Sequence, residues 1–224
     1  MIHTEEYLAE LREALAGYFG ERLVYIGLQG SYLRGEADEN SDFDVMLVID
    51  GLVPADLDAY RDILRDLGEF ERSCGFVCGR EELKLWNPLE ACHVLHTTKD
   101  IHGELKPLMP EYTPEDVRNF VRLSVGNLFH ELCHRYVHRG RDRSGEKLCA
   151  AYQPVFFILQ NLYYLRCGVF VQTKKELSEL LGGEDREILL TAMRMKAGVT
   201  FDFDEAYAKL FGWCQKKLKE VGKN

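Results

Sequence analysis

Two hydrophobic periodicities divide this chain, and they change over near its middle. In the first half, the runs Leu23-Val24-Tyr25-Ile26 and Val45-Met46-Leu47-Val48-Ile49 are of strand length and rich in β-branched residues. A third strand is expected near Gly75-Phe76-Val77-Cys78 and a short fourth over about 99–103. Helical spacing appears at Tyr7, Leu8, Leu11, Ala14, Leu15 and Tyr18, and again at Leu57, Tyr60, Ile63, Leu64 and Leu67. Strands and helices mixed in this way predict an α/β unit with a small sheet. Beyond Pro107, Pro110 and Pro114 the pattern is helical throughout. Thr113 is placed to cap a helix with Pro114 at its first position and Glu115 and Asp116 in its first turn, and apolar spacing continues to about His138. Further helices are expected over about 146–166, 173–181, 184–196 and 203–221. The expected organisation is an α/β domain over 1–108 and a helical bundle over 109–224.

Composition narrows the chemistry. The 224 residues, 46% hydrophobic and 29% charged, have the balance of an ordinary globular protein. No run has the length of a membrane span, and the opening MIHTEEYLAELREAL is acidic and helix-patterned where a signal peptide is basic and then apolar, so the expected location is cytoplasmic. Seven cysteines without a CxxC pair are expected to be reduced thiols. A net charge of −9 disfavours non-specific binding to a nucleic-acid backbone and suits a cationic small molecule or a metal-bound nucleotide. The basic run from His134 to Arg143 is the local exception, and it reads either as a solvated helix end or as a phosphate contact.

The stretch between the first two strands, GSYLRGEADENSDFDV, carries the most specific chemistry. Asp42 and Asp44, two residues apart at the start of a strand, project from one face, while Phe43 and Val45 turn the other way into the core. Two carboxylates held so close repel each other unless divalent cations sit between them, and magnesium held by one or two carboxylates and completed by substrate phosphates is a common arrangement. Gly30 permits close backbone approach, and Ser31 opens a turn whose N–H groups can cradle a phosphate oxygen.

Gly30, Ser31, Arg34, Gly35, Ser41, Asp42 and Asp44, in that order between two strands, resemble the signature of the nucleotidyltransferases with a DNA polymerase β-like catalytic fold. The resemblance implies a small mixed-sheet nucleotidyltransferase domain, magnesium (two ions) held by Asp42 and Asp44, and ATP or another nucleoside triphosphate contacted by Gly30, Ser31, Arg34 and Ser41. A catalytic domain followed by a helical one further resembles the two-domain aminoglycoside adenylyltransferases. On that likeness Thr173 caps a helix and Lys174 reaches the nucleotide phosphates, and the acceptor is a small polar or cationic molecule.

Two features stand against a simple transfer. Most active members of the superfamily carry a third carboxylate on the next strand, whereas Arg72-Ser73-Cys74-Gly75-Phe76-Val77-Cys78 contains no acid and places Cys74 where the carboxylate is expected. Glu69, Glu71, Glu81, Glu82 and Glu90 lie nearby in sequence, with Glu82 the favoured candidate base. His130-Glu131-Leu132-Cys133-His134 fits the H-E-x-x-H zinc pattern, but the extended pattern with a glycine and a third histidine is missing, and a polar helix face is the competing reading. The leading expectation is transfer of a nucleoside monophosphate to a hydroxyl. Its alternatives are a nucleotide-binding homologue that has lost transfer, a regulator that modifies protein or RNA, and a zinc hydrolase.

Overall fold

The structure, a computed structural model, describes residues 3–39, 41–138 and 144–222. The chain divides into two compact units, Met1–Tyr112 and Thr113–Asn224.

In the first unit, α1 (Thr4–Phe19) leads into β1 (Leu23–Leu28), a short helix α2 (Gly30–Arg34) and β2 (Phe43–Ile49). Then follow α3 (Pro54–Asp66), β3 (Ser73–Gly79), α4 (Arg80–Lys84), α5 (Pro88–His96) and β4 (Lys99–His102). The sheet order is β3-β2-β1-β4, with β2 and β3 parallel and the other two pairs antiparallel, so the sheet is mixed as expected. Alternation along β2 divides the core. Phe43, Val45, Leu47 and Ile49 pack against α1 and α3 through Leu11, Leu15, Tyr60 and Leu64. Met46 and Val48 face the opposite way, onto Leu83 of α4, Ala91 of α5, Leu105 and Met109. Residues 109–112, expected in the helical half, lie with the first unit: Met109 is buried against the sheet, and Tyr112 packs there too. Helices α4 and α5 are not among the elements expected from spacing, yet Asn87 and Pro88 form a start signal for α5: the Asn87 side chain accepts from Leu89 N–H and Pro88 takes the first position.

The second unit contains α6 (Pro114–His138), α7 (Gly145–Tyr152), α8 (Val155–Cys167), α9 (Lys174–Leu180), α10 (Gly183–Lys196) and α11 (Phe203–Val221). Thr113 caps α6 reciprocally, its hydroxyl accepting from Asp116 N–H while Asp116 Oδ2 accepts from Thr113 N–H. The single helix expected over 146–166 is two, because Pro154 lacks an N–H and its ring excludes the carbonyl four residues back. The part of the basic run at 139–143 lies outside the described residues. No described helix is long and apolar enough to cross a membrane.

An ion cluster ties α8, α10 and α11 together. Asp185 accepts from the indole N–H of Trp213 at 2.8 Å, from Lys217 Nζ at 3.0 Å and from Arg166 at 3.2 Å. Burial alone would raise the Asp185 carboxyl, but hydrogen bonds from Lys217 and Trp213, aided by the charges of Lys217 and Arg166, hold it below the usual range. Removing the carboxylate leaves buried Lys217 with the partly exposed Glu220 as its remaining counter-charge, and Trp213 N–H without its acceptor. Asp185→Ala is therefore expected to destabilise the helical unit by about 2–3 kcal/mol in urea denaturation at pH 7, less than for a charge left wholly alone because Glu220 still pairs with Lys217 and Arg166. A depressed folded-state pKa stabilises above the unfolded value of about 3.9 and loses that stabilisation as pH falls through the folded value. The gap between wild type and variant should accordingly narrow below about pH 4.

Candidate active site

At the N-terminal end of β2, the backbone N–H of Gln29 donates to the carbonyl of Asp44 at 2.9 Å and carries the β1–β2 ladder one step past β1. The chain then turns through Gly30 at φ 68° into α2. A Cβ at Gly30 would stand 1.8 Å from Asp44 Oδ2, so the Asp44 carboxylate occupies the space that a side chain at residue 30 would fill. The close approach inferred from sequence is thus made in the first instance by Asp44. Gly35, also in the left-handed region, ends α2, and its N–H turns back to the Tyr32 carbonyl.

Asp42 is exposed and Asp44 half-buried. Burial is the largest influence on Asp44 and raises its carboxyl above the ordinary range; the charge of Asp42 adds to this, while a hydrogen bond with Cys74 and the charge of Arg34 act in the opposite sense. β3 lies parallel with Asp44 opposite Cys74, so the cysteine stands where the resemblance places a carboxylate. Partial burial and the Asp44 charge push the Cys74 thiol up, so it keeps its proton at neutral pH and offers no base. Glu82 is not brought to this end of the sheet. It approaches Gly79, where an added Cβ would meet its Oε2 at 2.0 Å, and Gly79 is five residues along β3 from Cys74, about 16 Å at strand rise. Glu81 pairs with Lys84, Glu90 accepts from the Trp86 indole, and Glu69 sits 3.4 Å from Arg72. Glu71 lies in the turn before β3.

Arg34 and Ser41 serve the loop itself. The Arg34 side chain is only 10% exposed and pairs with Glu36 at 3.1 Å, with its charge felt at both Asp44 and His93. Burial, reinforced by Arg34, pushes the His93 imidazole down to about 4, so it is neutral beside the guanidinium. Ser41 is buried; its hydroxyl donates to Asp38 Oδ1 and accepts from Asp38 N–H, closing a turn before the first aspartate. Arg72 fastens the same turn by donating to the Ser41 carbonyl and the Tyr32 hydroxyl. Lys174 belongs to the other unit. There Thr173 caps α9 by accepting from Glu176 N–H, and the Lys174 ammonium lies 5.4 Å from the centre of the Phe156 ring.

The donor set suits a hard divalent cation. A half-buried carboxylate beside a second, exposed one gains from a cation that offsets their repulsion, and the missing Cβ at Gly30 leaves Asp44 free to take that position. No group of three or more potential ligands converges among the described residues, so phosphate oxygens and water would complete the shell. His130, His134 and His138 form a ladder along α6, with ring centres 6.0 and 4.7 Å apart, and Glu131 pairs with Arg135.

Gly30→Ala and Gly35→Ala separate two effects. Both force a left-handed residue, costing about 1–2 kcal/mol, but nothing lies within 4 Å of a Cβ at Gly35. Both variants should lose stability in thermal denaturation, and Gly30→Ala, whose Cβ must also displace the Asp44 carboxylate, should lose more than Gly35→Ala.

A family model described as a nucleotidyltransferase domain matches residues 8–95, a span that runs from α1 to the last turn of α5 and contains the carboxylate pair. No curated protein matches the chain. Among solved structures, spectinomycin adenyltransferase AAD(9) from Enterococcus faecialis, crystallised with ATP and spectinomycin, aligns with a TM-score of 0.60 at 15% identity, over 96% of this chain and 99% of that one. A toxin-antitoxin with AMP-PNP aligns with a TM-score of 0.33 at 19% identity, over 57% of this chain and 91% of that one. At such identities the likeness to AAD(9) speaks for the fold alone, and the family match for similarity over part of the chain: residues 8–95, which include Gly30, Asp42 and Asp44, match a nucleotidyltransferase domain in a chain whose fold is similar to that of AAD(9).

Proposed function

We propose that this chain transfers AMP from Mg-ATP to a hydroxyl of a small, polar, cationic acceptor of the aminoglycoside kind. The observation that carries the reading is the contact between Gly30 and the Asp44 carboxylate, with Asp42 beside it, inside the matched domain. The AAD(9) structure, which contains ATP and spectinomycin, supports the choice of nucleotide and acceptor class. Residues 1–108 would serve as the catalytic domain and 109–224 as the substrate-binding one, with the structural division falling after Tyr112.

Asp42 and Asp44 would hold magnesium, which would supply positive charge against the negative charge developing on the phosphates and the departing pyrophosphate. Ser31, in the first turn of α2, offers a hydroxyl and backbone N–H groups to a phosphate oxygen. Arg34 contributes positive charge beside Asp44, and Ser41 shapes the turn that aims Asp42. Lys174 is the phosphate contact proposed from the helical half. The acceptor oxygen attacks the α-phosphorus as the bond to pyrophosphate breaks, so one P–O bond forms for each one lost, and the hydroxyl proton is released to water.

Asp42→Asn and Asp44→Asn are each expected to abolish magnesium-dependent AMP transfer. Because burial already raises the Asp44 carboxyl, the neutral asparagine removes a desolvation cost, and Asp44→Asn should unfold at or above the wild-type temperature. Full transfer in either variant would refute the assignment.

Cys74 favours a second reading, a nucleotide-binding homologue with weak transfer. Loss of a positioned base costs about 10²–10⁴ in rate. Under this reading Cys74→Asp, placed opposite Asp44, should raise single-turnover transfer, since bound cations would favour its ionised form. A wild-type rate in the ordinary enzymatic range, unchanged by Cys74→Asp, would exclude it.

A further inference from the structure

A cavity of about 490 Å³ opens on the first unit, between α1, α2, the end of β1 and the edge strand β4. Its volume lies in the range of ligand cavities, roughly 300–1,000 Å³. The floor is apolar: Leu8 and Leu28 are buried, with Leu33 and Ile101 partly so. The rim carries Arg12, Lys99 and Glu5.

Most cations of this unit are paired. Arg22, Arg34, Arg61, Arg65, Arg72, Arg80 and Lys84 all have carboxylate partners. Among the described residues of this unit Arg12, Lys99 and Lys106 have none, and the first two stand at the same opening. With Glu5 opposing them, the rim sums to one positive charge, which matches a monoanion better than a phosphate dianion.

The cavity also differs in position from the carboxylate site. Leu8, Leu28 and Leu33 belong to the core on the α1 side of the sheet, whereas Asp44 projects from the face that carries Met46 and Val48. Only α2 serves both: Gly30 adjoins Asp44, while Tyr32 and Leu33 line the cavity. The Tyr32 ring also packs edge-on against Phe43, 4.8 Å between centres, and Phe43 separates Asp42 from Asp44.

From this geometry we propose that the cavity is an effector site for a small organic monoanion, a carboxylate on an aromatic or aliphatic body. The carboxylate lies between Arg12 and Lys99, and the body rests on Leu8, Leu28 and Leu33. The ligand acts on the carboxylate pair through Tyr32 and Phe43. The binding half stands apart from the proposed function; the effector half rests on it.

The test uses the full chain and 2-naphthoate, titrated by calorimetry without nucleotide. Naphthoate should bind, and the neutral 2-naphthamide should bind about tenfold more weakly. Arg12→Gln and Lys99→Gln should each weaken naphthoate by about fivefold. Ala9→Trp, which fills the cavity from an exposed position on α1, should abolish binding. No binding of naphthoate to the folded wild type, equal affinity for naphthoate and naphthamide, or binding undiminished in these variants would overturn the site. In a second titration, saturating naphthoate should change Mg-ATP affinity by about fivefold or more, and in Ala9→Trp it should not. Unchanged ATP affinity overturns the effector role, and failure of ATP to bind at all overturns the nucleotide reading together with that role, while the first titration still decides the site.

Discussion

Strand β2 is buried on both faces, and that constraint organises the whole first unit. Its residues alternate between a core built on α1 and α3 and a second built on α4, α5 and the 105–112 segment. A slip of one residue would send Phe43, Val45, Leu47 and Ile49 to the wrong layer, so the register is held firmly. Asp44 inherits that precision. It sits on the same face as Met46 and Val48, one step before they are sealed from water, between Gln29 on one neighbouring strand and Cys74 on the other.

The carboxylate pair shows how a stable frame sustains an unfavourable local arrangement. Burial and the charge of Asp42 both work against ionisation of Asp44, and only Cys74 and Arg34 oppose them. The cost is tolerable because the surrounding turn is held by other means: Ser41 with Asp38, and Arg72 with both Tyr32 and the Ser41 carbonyl. The turn that carries both carboxylates is therefore fixed by the chain's own hydrogen bonds. Arg34, paired with Glu36, and Ser41, bonded to Asp38, also brace this turn.

The second unit solves a different problem. Its helices pack around Trp213, Phe156, Leu159 and Leu210, and its most polar feature, Asp185 with Lys217 and Arg166, lies among them. Such clusters fix which helix faces which, because a shifted helix would leave a buried charge alone. The Gln160 side chain does similar work near α9, donating to the Val171 carbonyl at 2.6 Å in the connection that leads to Thr173 and Lys174.

Most elements were legible because their signals are local. Strand-length apolar runs, the Thr113-Pro114 start and the spacing of α10 and α11 depend on residues within a few positions of one another, and the structure places these elements where the pattern put them. The Gly-Ser and Asp-x-Asp positions could likewise be read, since period-two alternation alone places both aspartates on one face. What could not be read depends on pairing between distant segments. Parallel alignment of β3 with β2 put Cys74 opposite Asp44 and carried Glu82 to the far end of the strand, a choice invisible in sequence distance, where Glu82 is only eight residues from Cys74. The same holds for Gly30, whose missing side chain is filled by a carboxylate fourteen residues away, and for Arg12 and Lys99, which share a cavity rim only because β4 pairs with β1 beside α1. Local sequence decides which element a residue joins; strand register and helix packing decide which charges meet.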